Sequence, residues 1–572
     1  MAFQDFDLIQ ERRKQERQRK FKKRIVIALV SAIVIAGLVA GCIFALASFK
    51  KKDQGTPTAD NSKLRQPGAA PSTNQLSRSE KLIKTICETT SYKQSCESTL
   101  KKAVKENPSM AQPKDFLQSA ISATGDALEE AFTKASKLEF NSPEEKQAFN
   151  VCKEVVANAK DELKTSASKL EDNDMEKVLT SGDLNTFLSA VMSYQETCID
   201  SFPEGKLKTS FKTALNSSKE LTSNSLAMIK QLGSYISSVM DLPGASRHLL
   251  ESAGSPSVDK DGFPNWLSNE ERRMLKGGEK LKIPENVTVA KDGSGNFTTI
   301  SEALAAMPEK YDGRYVIFVK AGIYEETVNV TKKMVNLTIY VASGEGFLAQ
   351  AMGFRNTAGP EKHQAVAVRV NADRAVFLNC RFEGYQDTLY AQTHRQFYRG
   401  CVVVGTIDFI FGDAAAVFQN CEIWVRKPMD NQKTIVTAQG RIDKFQTTGI
   451  VLQNCKIRPD ESFKADKAKF KNYLGRPWKE YSRTIVMESL IEDFIDPAGW
   501  LEWEGNFALN TLYYAEFNNN GPGAKTDARV NWPGRKVINK DEAMKFTVEN
   551  FLQGSWIKGI SDDAQVRMGL GN

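Results

Sequence analysis

FLNCRF (377–382), CVV (401–403), FQNCEI (418–423) and LQNCKI (452–457) are four versions of one short unit. Their cysteines, Cys380, Cys401, Cys421 and Cys455, are spaced by 21, 20 and 34 residues. Short β-branched and aromatic runs at such a period predict a parallel β-helix, in which each coil stacks on the one before. The longer third spacing fits one coil plus a loop insertion. The Asn that precedes Cys in three copies suits an internal ladder or a turn.

Stacking converts spacing into chemistry. Residues one coil apart lie about 4.8 Å apart along the axis. Gln364 and Gln386 are 22 apart, and Asp387 and Asp408 are 21 apart. The two carboxylates then share one face and cannot both ionise easily, so one serves as acid or base and the other as nucleophile. Two stacked glutamine amides beside them are donors for a developing oxyanion.

Outward from the repeat the chain changes texture. Its 572 residues are 41% hydrophobic and 26% charged, enough for two to four domains with cores. Residues 1–24 are a basic tail, and 11–24 alone hold nine basic and two acidic residues, as large an imbalance as the whole +7. From 284 on, 35 basic residues face 34 acidic ones, so no basic face for nucleic acid is expected. Residues 25–49 are uncharged and apolar, long enough to span a bilayer as a signal anchor with the N-terminus cytosolic. A cleaved signal peptide is the alternative.

Residues 50–80 read as a flexible polar linker. Residues 81–236 read as a helical bundle, with Leu207, Phe211, Leu215, Leu221, Met228 and Leu232 on one stripe. Pairing of Cys87 with Cys96 and of Cys152 with Cys198 would clip it. Residues 237–283 form a linker with basic spots at Arg247 and Arg273 that invite proteolysis. Sequons at Asn216, Asn286, Asn296, Asn329 and Asn336, with nine cysteines, suit an oxidising secretory route. Only three histidines and no phosphate-binding Gly-Lys-Ser/Thr loop argue against a histidine metal site or a P-loop enzyme.

Residues 284–569 resemble plant pectin methylesterases. The stretches that carry this are GIYEE (322–326), QAVA (364–367), QDTL (386–389), DFIFG (408–412) and LGRPW (474–478), in the family's order. The helical part resembles the pectin methylesterase inhibitor domain that precedes many such enzymes. The resemblance implies a right-handed parallel β-helix after a four-helix bundle. It implies hydrolysis of methyl esters on cell-wall galacturonan, without metal or cofactor. Asp408 would be the nucleophile, Asp387 the proton donor and then base, and Gln386 and Gln364 the oxyanion donors. Arg476 would pair with Asp408, and Gln364, Arg476 and Trp478 would touch substrate. A Cys401–Cys421 disulfide is also implied, with Cys380 and Cys455 as buried thiols. So are a processing protease at the linker, where His248 stands in place of a second basic residue, contact between inhibitor-like domain and enzyme, and a mature enzyme in the wall.

One departure stands out. VNLTIY (335–340) runs straight into VASGEGFL (341–348), where the family has a further turn, strand and loop. About one coil, on the order of 25 residues, is missing after Tyr340. Ala351 and Met352 also replace the family's usual Asp-Ile. A pectin-binding or inhibitory protein without catalysis therefore stands as the alternative.

Overall fold

The computed structural model describes residues 73–240 and 286–571, apart from 111, 173, 309–310, 312–314, 321, 332–333, 335–336, 340–346 and 558–565. The basic tail, the 25–49 run, Arg247, Arg273, Asn336 and most of both linkers lie outside the described residues.

Seven helices form the first part: α1 (Thr73–Glu88), α2 (Lys93–Glu106), α3 (Pro113–Ala135), α4 (Pro143–Lys169), α5 (Met175–Thr180), α6 (Asp183–Asp200) and α7 (Lys206–Met240). Their starts follow capping chemistry. Ser142 accepts from the backbone of Glu145 and Glu145 reaches back to Ser142, with Pro143 at the first helical position. The four long helices pair α4 with α6 and α3 with α7. Phe211, Leu215, Leu221 and Met228 of the α7 stripe are buried. Disulfides join Cys87 to Cys96 and Cys152 to Cys198. The second closes 46 residues and restricts the unfolded chain by about 4 kcal/mol in the loop-entropy account. Helix α1 begins inside the stretch expected to be a linker, because Ser79, Ile83 and Ile86 pack into the bundle despite their polar surroundings.

The second part is built of parallel strands in sheets of eleven, six and five. The repeat explains the register. Phe377 pairs with Tyr398, Tyr398 with Phe418 and Phe418 with Leu452. The first three rings stack at 4.8 and 4.3 Å, a core column of aromatics. Asn379, Asn420 and Asn454 all have φ between 52° and 56°, the left-handed turn Asn tolerates. In the fourth copy Gly400 takes that place at φ 60°, where a Cβ would strike the Asn379 side chain. The longer third spacing comes from loops at 426–433 and 440–448.

The cysteine column corrects one expectation. Cys401 and Cys421 are free and buried, as are Cys380 and Cys455. Each thiol turns inward and donates to a carbonyl, Cys401 to Phe377 and Cys421 to Tyr398. Lying one coil apart does not aim the sulfurs at each other.

The pairing thins just before Tyr340, where the sequence departs from the family. Leu337–Ile339 pairs with Leu348–Gln350 through one residue pair, Thr338 with Leu348, where later strands of the same sheet pair over three to five. The coils before it carry their own small core around Ile300, Tyr315 and Ile317. This cap is expected to open first. Hydrogen exchange at Val287–Val289 and Tyr315–Val319 should be faster than at Tyr398 or Val451. Equal protection would show one cooperative unit.

Of the described sequon asparagines, Asn216, Asn286, Asn296 and Asn329 are exposed. Two already have backbone work: Asn286 accepts from Val316 and Asn296 from Thr288.

Candidate active site

The five-stranded sheet runs through Val368–Val370, Leu389–Ala391, Ile410–Gly412, Thr434–Gln439 and Asn472–Gly475. The expected site residues flank its strands. Gln386 and Asp387 precede the second, Asp408 precedes the third, and Arg476 follows the fifth. Gln364 and Gln386 form a parallel bridge. The Asp387 amide donates to Ile407 O at 3.0 Å, which places Asp387 beside Asp408 one coil on. Both aspartates have left-handed backbone, φ 62° and 50°, tight turns that a short polar side chain tolerates.

Arg476 clamps Asp408. Its Nε donates to Oδ1 at 2.9 Å and Oδ2 at 3.1 Å, and Nη2 donates to Oδ2 at 2.5 Å. Asp408 is 4% exposed. Burial raises its pKa above the usual carboxylate value, and the guanidinium pulls it back. Asp387 has no such partner. Burial and then the charge of Asp408 push its pKa up to about 8, against a weaker opposing pull from Arg476. Burial thus favours a proton on Asp387, while the guanidinium favours charge on Asp408.

Aromatic side chains extend the face. Tyr390 stacks on Phe411 at 4.4 Å, and Trp478 stands edge-on to both at 6.3 and 5.8 Å. Gly440 makes room for the indole, since a Cβ there would lie 2.8 Å from the Trp478 ring. Trp503 lies 4.3 Å from the Arg476 guanidinium and caps it. Sequence reasoning missed Tyr390 and Phe411, although they repeat the 21-residue spacing of the aspartates. Trp503 carried no periodic signal.

The helical part lies against the same sheet. Thr197 Oγ1 meets Tyr390 Oη at 3.3 Å, and Gln392 Nε2 donates to Thr197 at 3.2 Å. Lys479, next to Trp478, donates to Glu196 at 2.8 Å and Asp200 at 3.0 Å. Burial opposes ionisation of Glu196, but Lys479 and Lys219 overcome it and hold the carboxyl down at about 2. Further along, Arg395 binds Asp183 at 2.8 Å, Ser223 donates to Asp443 at 2.7 Å, and Gln446 donates to Ser189 O at 3.1 Å. The expected inhibitor-to-enzyme contact is thus made within one chain.

Three comparisons bear on this arrangement. Residues 286–342 and 338–555 match the family model described as pectinesterase, the two segments overlapping at 338–342. Residues 81–228 match the model described as plant invertase/pectin methylesterase inhibitor. The chain is 52% identical over 613 aligned positions to putative pectinesterase/pectinesterase inhibitor 45 of Arabidopsis thaliana, covering 100% of both. It is 49% identical to probable pectinesterase/pectinesterase inhibitor 13 of the same plant, again over 100% of both. Pectin methylesterase from carrot is a solved structure with 47% identity and a TM-score of 0.49, covering 51% of this chain and 100% of its own.

Proposed function

The chain belongs to the pectinesterase family, with an inhibitor-family domain on its N-terminal side, and on that footing we propose that it hydrolyses methyl esters of cell-wall homogalacturonan to pectate and methanol. The observation that carries this reading is the aspartate pair one coil apart, one of the two buried and clamped by Arg476. The Asp408 carboxylate adds to the ester carbonyl, and the oxyanion takes hydrogen bonds from Gln386 and Gln364. Collapse expels the methoxy group, which leaves as methanol with the proton of Asp387. Asp387, now a base, takes a proton from water, whose hydroxyl cleaves the acyl-enzyme and frees the galacturonate acid and Asp408. Gln364, Arg476 and Trp478 meet the substrate in this reading. The coils that carry these residues stack in parallel, with Gln364 on Gln386, Leu389 on Ile410 and Val368 on Leu389, which disfavours the non-catalytic alternative.

The test is methanol release from highly methylated pectin, followed across pH, by the protein cut in its linker and freed of its helical domain. With the Asp387 pKa near 8, its protonated form dominates below that value and is lost above it. The acylation rate should therefore fall as pH rises through about 8. A rate that stays flat to pH 10 would remove Asp387 as the acid, and no methanol from folded protein would remove the esterase reading.

The finer readings belong with it. The helical domain restrains the enzyme in cis until cleavage after Arg247 or Arg273. Residues 25–49 anchor the precursor in the membrane, the exposed sequons carry glycans, and the mature right-handed β-helix enzyme works in the wall.

A further inference from the structure

The helical domain covers the candidate groove unevenly. On one side α6 sits directly on it, with Thr197 on Tyr390 and with Glu196 and Asp200 on Lys479 beside Trp478. On the other side it only roofs it. A cavity of about 2290 Å³ remains there, between Glu154, Asn158 and Asp161 of α4, the segment 322–331, and residues 351–357 and 366–369. The 366–369 stretch begins two residues beyond Gln364, which is itself exposed, and Asp387 keeps partial exposure.

We propose that the docked, uncleaved chain is a selective esterase, closed to polymeric pectin but open to short methyl-esterified oligogalacturonides that enter through this cavity. A long chain must run past the reacting centre on both sides, and α6 occupies one of them. A short one needs only the open half, which exceeds the 300–1,000 Å³ of an ordinary ligand cleft. Carboxylates such as Asp161 and Glu325 line it together with the cations Lys320, Arg355 and Arg381, so the wall is polar and charged in both signs, suited to hydroxyl-rich sugar rings. This inference rests on the esterase reading and on restraint in cis.

The experiment compares the full chain with the double variant Glu196→Lys/Asp200→Lys, which sets like charges against Lys479. Methanol release is measured from fully methylated trigalacturonate and from long, highly methylated pectin. Pectin turnover should rise about 100-fold in the double variant, while trimer turnover changes less than about 5-fold. Trimer and pectin rising together would show a sealed site and overturn the proposal. Equal pectin turnover in both proteins would overturn restraint, and silence of both proteins on both substrates would overturn the esterase reading. Asn158→Trp, which narrows the cavity from the α4 side, gives an independent check without undocking. It should lower trimer turnover in the docked chain, and unchanged trimer turnover there would refute the proposed entrance.

Discussion

Asp408→Asn is expected to lower methanol release by about 10⁴-fold, the scale seen when a member of a nucleophilic unit is removed. The substitution keeps the shape of the side chain and its place one coil beyond Asp387. It removes the electron pair that attacks the ester, and no other carboxylate stands in its position. Asp387 does not substitute, because it stands one coil away from Asp408 and lacks the Arg476 clamp that orients Asp408. Binding of pectin should persist, since Tyr390, Phe411 and Trp478 are untouched. The measurement, on protein cut in its linker and freed of its helical domain, is single-turnover methanol release beside equilibrium binding of the same pectin. Activity within tenfold of the parent would exclude Asp408 as nucleophile. Loss of binding together with turnover would point to a collapsed site.

Arg476→Met should be the most destabilising change at the site. Asp408 is buried, and Met leaves its carboxylate with no counter-charge. Breaking such a pair costs 3–5 kcal/mol, and the partial exposure of Arg476 places this case near about 3 kcal/mol. The pH dependence identifies the cause. Without Arg476 the folded-state pKa of Asp408 rises further above its unfolded value, so the folded state binds the extra proton. Stability is then lost as pH rises from about 4 through the new folded pKa. The variant should lie closer to the parent at pH 5 than at pH 8, by thermal or urea unfolding. A deficit of the same size at both values would mean that packing against Trp503 matters, not charge. Turnover should fall as well, because a protonated Asp408 is no nucleophile.

The repeat, the stacked glutamines and the paired aspartates were legible because a β-helix maps sequence period directly onto neighbourhood. Two residues 21 apart are neighbours in it wherever they fall in a coil. That map gives the distance between residues and not the direction of their side chains. Hence the column Cys380, Cys401, Cys421 and Cys455 was legible while the Cys401–Cys421 bond was not formed, the thiols being aimed at carbonyls. The start of α1 at Thr73 was hidden because its polar residues resemble a linker and only packing against the bundle shows otherwise. The docking of α6 was beyond reach for a different reason. Thr197 and Tyr390, or Asp200 and Lys479, belong to different periodicities and lie 193 and 279 residues apart. Trp503 falls outside the coil spacing altogether.

The polar character of the docking face has a consequence for the order of events in the life of the chain. Its holding contacts around Lys479, Arg395 and Asp443 are ion pairs and hydrogen bonds that water could replace. While one polypeptide joins the two parts, the helical domain is confined near its seat at an effective concentration in the millimolar range, and modest affinity suffices for occupancy. A single cut in the connecting segment ends that confinement. Occupancy then follows mass action at whatever concentration the released domain has in its surroundings, so dilution alone empties the seat, without any change in either folded part.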